Sequence, residues 1–238
     1  MPETLSIESL GGQMGLYVAE PTTPAKAGIV VFQEAFGVND HIQDICRRLA
    51  DEGYLAVAPH IFHRGGDPVI DYTDMKSVMG QLMKLRADGL EADLDAALTH
   101  LAGAGFEGTQ VGAVGFCLGG SLSFAAAAWR PIGAAVTFYG GGIGEGRFGI
   151  APLVDLAPKL QAPWLGLFGD QDQTIRVDQV EALRTAVAAA PVETEIVRYA
   201  EAEHGFHCDA RPDSYHEASA KDGWARMLAW FDAHLATS

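Results

Sequence analysis

The sharpest chemical signal in the chain is Gly115-Phe116-Cys117-Leu118-Gly119-Gly120. It places a thiol between small residues, two before and two after, at a junction of strand-like and helix-like sequence. That spacing has a physical reason. A nucleophile exposed on a sharp strand-to-helix turn needs neighbours without side chains, so that the strand and helix can close on each other. The helix start beneath the sulfur favours thiolate, and the Leu118 backbone N–H points to where an oxyanion would form. A thiol also needs a base. Of eight histidines, His204 lies in the loop after the last strand-like segment and before the terminal helix, with His207 as the nearby alternative. An acid that holds the imidazole should follow the strand 163–169, where Gly169-Asp170-Gln171-Asp172 offers two aspartates. The short turn favours Asp172, leaving Asp170 to brace the turn.

The elements that must position these residues alternate along the chain. Residues 4–8 and 14–20 read as a hairpin around Gly11-Gly12. Strands are expected at 27–33, 54–59, 109–116, 132–140, 163–170 and 194–200. Helices are expected at 38–52, 74–86, 90–102, 118–129, 177–189 and 214–235, with a loop at 60–73 and a glycine-rich loop at 140–149. Buried apolar strands alternating with helices predict an α/β fold with a mostly parallel sheet and helices on both faces. Its site should lie at the carboxyl ends of the strands. That brings Gln33-Glu34, His60, Cys117, Tyr139, Asp170, Asp172 and His204 to one side.

Composition narrows the function classes. The chain has 238 residues, 16 basic against 31 acidic, and a formal net charge of −15. An acidic surface of this kind disfavours nucleic acid and anionic membranes as partners. Gly108 to Trp129 carries no charged residue, but its four internal glycines and its change of pattern read as a buried strand–turn–helix, not as a membrane span. Three cysteines, Cys46, Cys117 and Cys208, fit reduced thiols in a cytoplasmic protein better than a disulfide framework. The opening MPETLSIESLGG lacks the basic and apolar regions of a secretion signal. His60…His63 and His204…His207-Cys208-Asp209 are dense in ligand types, yet neither has the spacing of a closed zinc site, and no phosphate-cradling glycine motif follows a strand. No cofactor is expected. The whole of 1–238 reads as one domain.

Over most of its length the chain resembles the dienelactone hydrolase family. Gly12-Gln13-Met14 through Ala19-Glu20-Pro21 resembles the family's opening hairpin, and Gln33-Glu34-Ala35-Phe36-Gly37 its loop after the next strand. Gly115 to Gly120 matches its cysteine elbow. Gly169 to Asp172 and His204-Gly205-Phe206 supply the remaining triad positions, and Arg211 to Tyr215 resembles what often follows. The resemblance implies an α/β-hydrolase fold and a Cys117–His204–Asp172 triad acting on a small ester or lactone. It gives Glu34 the task of helping to generate the thiolate, and the Ala35 N–H that of second oxyanion donor. Family members that cleave dienelactone hold a substrate carboxylate with arginines, one upstream of the elbow and one shortly after the histidine. Position 208 is a cysteine here, and Arg211, with Lys76 or Arg64 as alternatives, is the candidate. Two other classes compete with a hydrolase: a non-catalytic small-molecule-binding member of the same fold, and a thiol-redox protein using Cys117 and Cys208.

Overall fold

The computed structural model describes residues 3–237; Met1, Pro2 and Ser238, which the leader reading and the 1–238 range include, lie outside them. Two strands, β1 (Glu3–Ser9) and β2 (Gly12–Ala19), form the expected antiparallel hairpin. The later strands are β3 (Ala27–Phe32), β4 (Tyr54–Pro59), β5 (Val111–Phe116), β6 (Ala134–Phe138), β7 (Trp164–Gly169) and β8 (Thr194–Tyr199). They make one sheet in the order β1-β2-β4-β3-β5-β6-β7-β8. β2 joins β4 antiparallel, and every pairing from β4 through β8 is parallel. β3 to β7 are buried on both faces, which is why their sequences are continuous apolar runs and not alternating ones.

The helices are α1 (Asp40–Asp51), α2 (Met75–Leu82), α3 (Ala87–Gly103), α4 (Leu118–Trp129), α5 (Leu153–Leu156), α6 (Val177–Val187) and α7 (Glu217–His234). α1 starts on an Asn39 side chain that accepts from the Ile42 amide, and it buries Ile42, Ile45 and Leu49 against β4. α3 and α7 lie on opposite faces. A Cβ on Gly28 would strike Leu101 of α3, while one on Gly112, in the next strand, would strike Phe231 of α7. α4 runs beneath β5 and β6 and buries every residue from Leu118 to Ala128.

Two stretches depart from expectation. The helix expected over 74–86 ends at Leu82, because α2 has only Val78 to bury and turns its Met75 and Met79 side chains outward. The short α5 was not foreseen; it follows a glycine-rich loop whose sequence carries no helical periodicity. The remaining boundaries shift by a few residues, as frayed ends do.

Candidate active site

The elbow is built on backbone proximity. Cys117 has φ 55° and ψ −111°, a conformation that costs a non-glycine residue about 1–3 kcal/mol. Its flanking glycines make the turn possible. A Cβ on Gly115 would lie 1.8 Å from the Gly119 carbonyl oxygen. One on Gly119 would lie 2.2 Å from the Phe32 oxygen, and one on Gly120 2.6 Å from the Phe138 oxygen. The Cys117 amide donates to the Phe138 carbonyl at 3.1 Å, tying the elbow to β6. Behind it, Ser123 and Thr137 hydroxyls both donate to the Gly120 carbonyl, and the Trp164 indole donates to Thr137 at 2.8 Å. Every buried polar group of this support is paired, which holds the turn in place.

His204 follows β8 in a tight turn. Its Nδ1 lies 2.6 Å from Asp172 Oδ2, and its side chain is about a quarter exposed while that of Asp172 is buried. Asp172 Oδ1 accepts from the Thr174 amide at 2.7 Å, the Thr174 hydroxyl at 2.8 Å and the Ile175 amide at 3.0 Å. Burial raises the Asp172 pKa, but the hydrogen bond and charge of His204 and the Thr174 donors outweigh it, so the carboxyl stays below its ordinary value. Burial likewise opposes charging of His204. The charge of a Cys117 thiolate, hydrogen bonds to Asp172 and Cys117, and the Asp172 charge outweigh it and raise the imidazole to about 10. With Nδ1 committed to Asp172, Nε2 is left to face the sulfur. Asp170 does not brace the turn; it takes a bidentate ion pair from Arg198 of β8 at 2.7 and 2.8 Å. His207 is not an alternative base. It is buried between Phe116, Phe138 and Trp224, and burial with the charges of His41 and Arg48 pushes it down to about 3.

The loop after β3 passes against the start of α4, at the point where Gly119 leaves no room for a side chain. Among the described residues, neither the Ala35 nor the Leu118 amide donates to another protein group, and Leu118 opens α4, where an N–H has no helical acceptor. Glu34 is buried. Its Oε1 accepts from the Tyr139 hydroxyl at 3.3 Å, and its Oε2 has no hydrogen-bond partner among the described residues. Tyr139, expected at the site side after β6 but given no role there, also sets its ring edge-on to His204 with centroids 5.1 Å apart. Only the residue type and its place after β6 pointed to it.

A cleft of about 550 Å³ opens over His204, bordered by Tyr72, Gln171, Thr174 and Arg211. The Arg211 guanidinium lies 5.6 Å from the ring centroids of both Phe36 and Tyr72 and makes no ion pair among the described residues. Gly205, at φ 83°, leaves space for it; a Cβ there would sit 2.9 Å from its Nη1. Arg64 is elsewhere, donating to both oxygens of buried Asp93 at 2.8 Å, so it cannot serve this cleft.

The arrangement unites a thiol on a strained turn, a carboxylate-held imidazole and two free amides, the parts of an acyl-transfer site. A family model described as the dienelactone hydrolase family matches residues 14–235. A Salmonella typhimurium relative provisionally named a carboxymethylenebutenolidase is 44% identical over 231 residues, covering 95% of this chain and 85% of its own. One from Methylorubrum extorquens with the same provisional name is 40% identical, covering 92% and 77%. The crystal structure of a Klebsiella pneumoniae protein, provisionally a dienelactone hydrolase, superposes with TM-score 0.90 at 43% identity, covering 98% of this chain and 99% of that one. The sheet, its order and these relatives agree, and the chain belongs to the dienelactone hydrolase family, with the α/β-hydrolase fold.

Proposed function

We propose that the protein hydrolyses a small carboxylic ester or lactone through Cys117, with His204 and Asp172 completing a triad. The observation that carries this reading is the strained cysteine set against a histidine whose other nitrogen is held at 2.6 Å by a buried aspartate. The Cys117 sulfur adds to the substrate carbonyl, and the Leu118 and Ala35 amides receive the oxyanion. His204 protonates the departing alkoxide or enolate. It then takes a proton from water as that water cleaves the thioester; the departing sulfur recovers its proton from Glu34, which returns the thiol, and the acid is released. Asp172 keeps the imidazole in one tautomer and stabilises its charged form. Glu34, buried beside Tyr139, takes up the thiol proton when substrate displaces water from the site. Arg211, unpaired and stacked on two rings above the cleft, holds a carboxylate on the substrate. No step requires a cofactor.

Two broader readings accompany this one. The single sheet running from β1 to β8 supports one domain for the whole chain. Three unpaired thiols, and the absence among the described residues of any helix long and apolar enough to cross a membrane, suit a cytoplasmic setting.

The test is turnover of an activated aryl ester by wild type and Cys117→Ala, with intact-mass detection of the acyl-enzyme. Turnover, a silent variant and an acyl group mapped to Cys117 support the reading. Equal behaviour of the two proteins refutes it and leaves a small-molecule-binding role.

A further inference from the structure

Next to the candidate site lies a second group of donors that the hydrolytic chemistry does not use in full. Glu34, His41 and Cys208 come from the end of β3, the first turn of α1 and the turn after His204. Each offers a donor atom, and these atoms lie within 4.8 Å of one another, all buried. Their hydrogen bonding is incomplete. Neither ring nitrogen of His41 has a hydrogen-bond partner among the described residues, nor has Glu34 Oε2, although His41 is 3% exposed and Glu34 1%. Buried polar atoms without partners are costly, so Glu34 Oε2 and His41 Nε2 in one place call for a ligand. Glu34 makes no ion pair with a basic side chain among the described residues, so the charge that would compensate its carboxylate is also missing.

We propose that Glu34, His41 and Cys208 bind one divalent cation of the zinc class. A carboxylate, an imidazole and a thiolate are the mixed donors that zinc accepts, whereas magnesium and calcium want oxygen alone. Zinc bond lengths place tetrahedral donor atoms about 3.3–3.7 Å apart, so the three side chains close by about 1 Å around the ion. The surroundings fit such a site. Asp209 Oδ1 lies 3.4 Å from His41 Nδ1, and Asp209 is anchored by Arg48. A carboxylate behind the imidazole in this way leaves Nε2 as the donor. The Tyr72 hydroxyl, 3.6 Å from Cys208 Sγ, or a water completes the fourth position. An entry exists too: a cleft of about 460 Å³ is lined by His41 and Tyr72 together with the acidic Asp40 and Asp71, which attract a cation.

Binding breaks the Cys208 S–H bond, releases that proton to solvent and forms a metal–sulfur bond; no electron is transferred. Burial and then the Glu34 charge push the Cys208 thiol up to about 12, a cost that the cation's own charge reverses. Resting on the hydrolytic reading, one consequence follows: an ion that holds Glu34 withdraws it from Cys117 and inhibits the enzyme.

The probe is cobalt(II), displaced by zinc, added to reduced and chelator-stripped protein. We expect one saturable equivalent, with a thiolate-to-cobalt charge-transfer band, in wild type and in Cys117→Ser. The band should vanish in Cys208→Ala and in His41→Gln. Asp209→Asn, at a half-exposed position that leaves the core intact, should weaken affinity by about 10–100-fold. A band that survives in Cys208→Ala but is lost in Cys117→Ser would place the ion on the elbow cysteine and overturn the proposal, as would absence of saturable binding to wild type. These readouts do not depend on hydrolysis. Zinc that binds with this pattern without inhibiting ester turnover supports the cation site and refutes the role given to Glu34.

Discussion

Gly119→Ala tests whether close backbone approach assembles the site. The added Cβ would stand 2.2 Å from the Phe32 carbonyl oxygen and 2.6 Å from that of Gln33, both backbone atoms, whereas ordinary contact begins at 3.4 Å. The end of β3 and the start of α4 must therefore separate by about 1 Å. Gln33 is followed directly by Glu34 and Ala35, so the shift carries the carboxylate and one oxyanion donor away from Cys117. A displacement of about 1 Å in a reacting constellation costs roughly 100-fold, while the strain lowers stability by about 1–3 kcal/mol. The loss should fall on kcat, because the groups displaced are the ones proposed to act on the thiol and the reacting carbonyl. The assay is steady-state hydrolysis of an activated aryl ester well below the melting temperature of both proteins. Gly144→Ala is the control, since a Cβ there meets nothing within 4 Å. A folded Gly119→Ala enzyme with kcat within about twofold of wild type would refute the reasoning.

Asp172→Asn should keep the turn, because Oδ1 retains the Thr174 and Ile175 donors, yet it can offer Nδ1 of His204 an N–H in place of an acceptor. Turnover should fall by roughly 10⁴-fold; a loss below about tenfold contradicts the tautomer argument. His204 is raised from its ordinary 6.5 to about 10, so its stabilising contribution is complete below pH 6.5 and is lost as the pH rises toward 10. Denaturant unfolding of wild type against His204→Gln should show a stability difference that shrinks over that window, and one that grows there contradicts the assignment. Asp93→Ala leaves Arg64 and His63 facing a buried position without their carboxylate. It should lower stability by about 3–5 kcal/mol while leaving the kcat of the folded enzyme near wild type; an unchanged melting temperature would count against it.

The elbow was legible because residue type alone reports close approach: the Gly119 carbonyl forbids a side chain at Gly115 within one strand–turn–helix, and the glycines at 119 and 120 mark tight contacts with β3 and β6 whichever strand supplies them. Asp172 and His204 were legible by position, since a parallel sheet puts the ends of β7 and β8 beside the elbow. What escaped was pairing between distant segments. Tyr139 and Glu34 stand 105 residues apart in the chain, and no spacing rule joins them. No spacing rule joins Cys208 to Glu34 and His41 either, since they belong to elements more than 150 positions earlier. The length of α2 was misjudged for a related reason. Only the fold decides that Met75 and Met79 face outward and leave the helix little to bury.

The sheet topology bears on how such a protein can change over evolutionary time. Cys117, Asp172 and His204 hang from the ends of β5, β7 and β8, whereas the cleft above them is bordered by Tyr72 and Arg211, on connections that carry no ladder hydrogen bonds. On the proposed function, recognition and chemistry are inherited on separate pieces of chain: exchange of segments around 66–74 and 209–215 between relatives alters which acid is accepted, while the frame that holds the thiol is passed on.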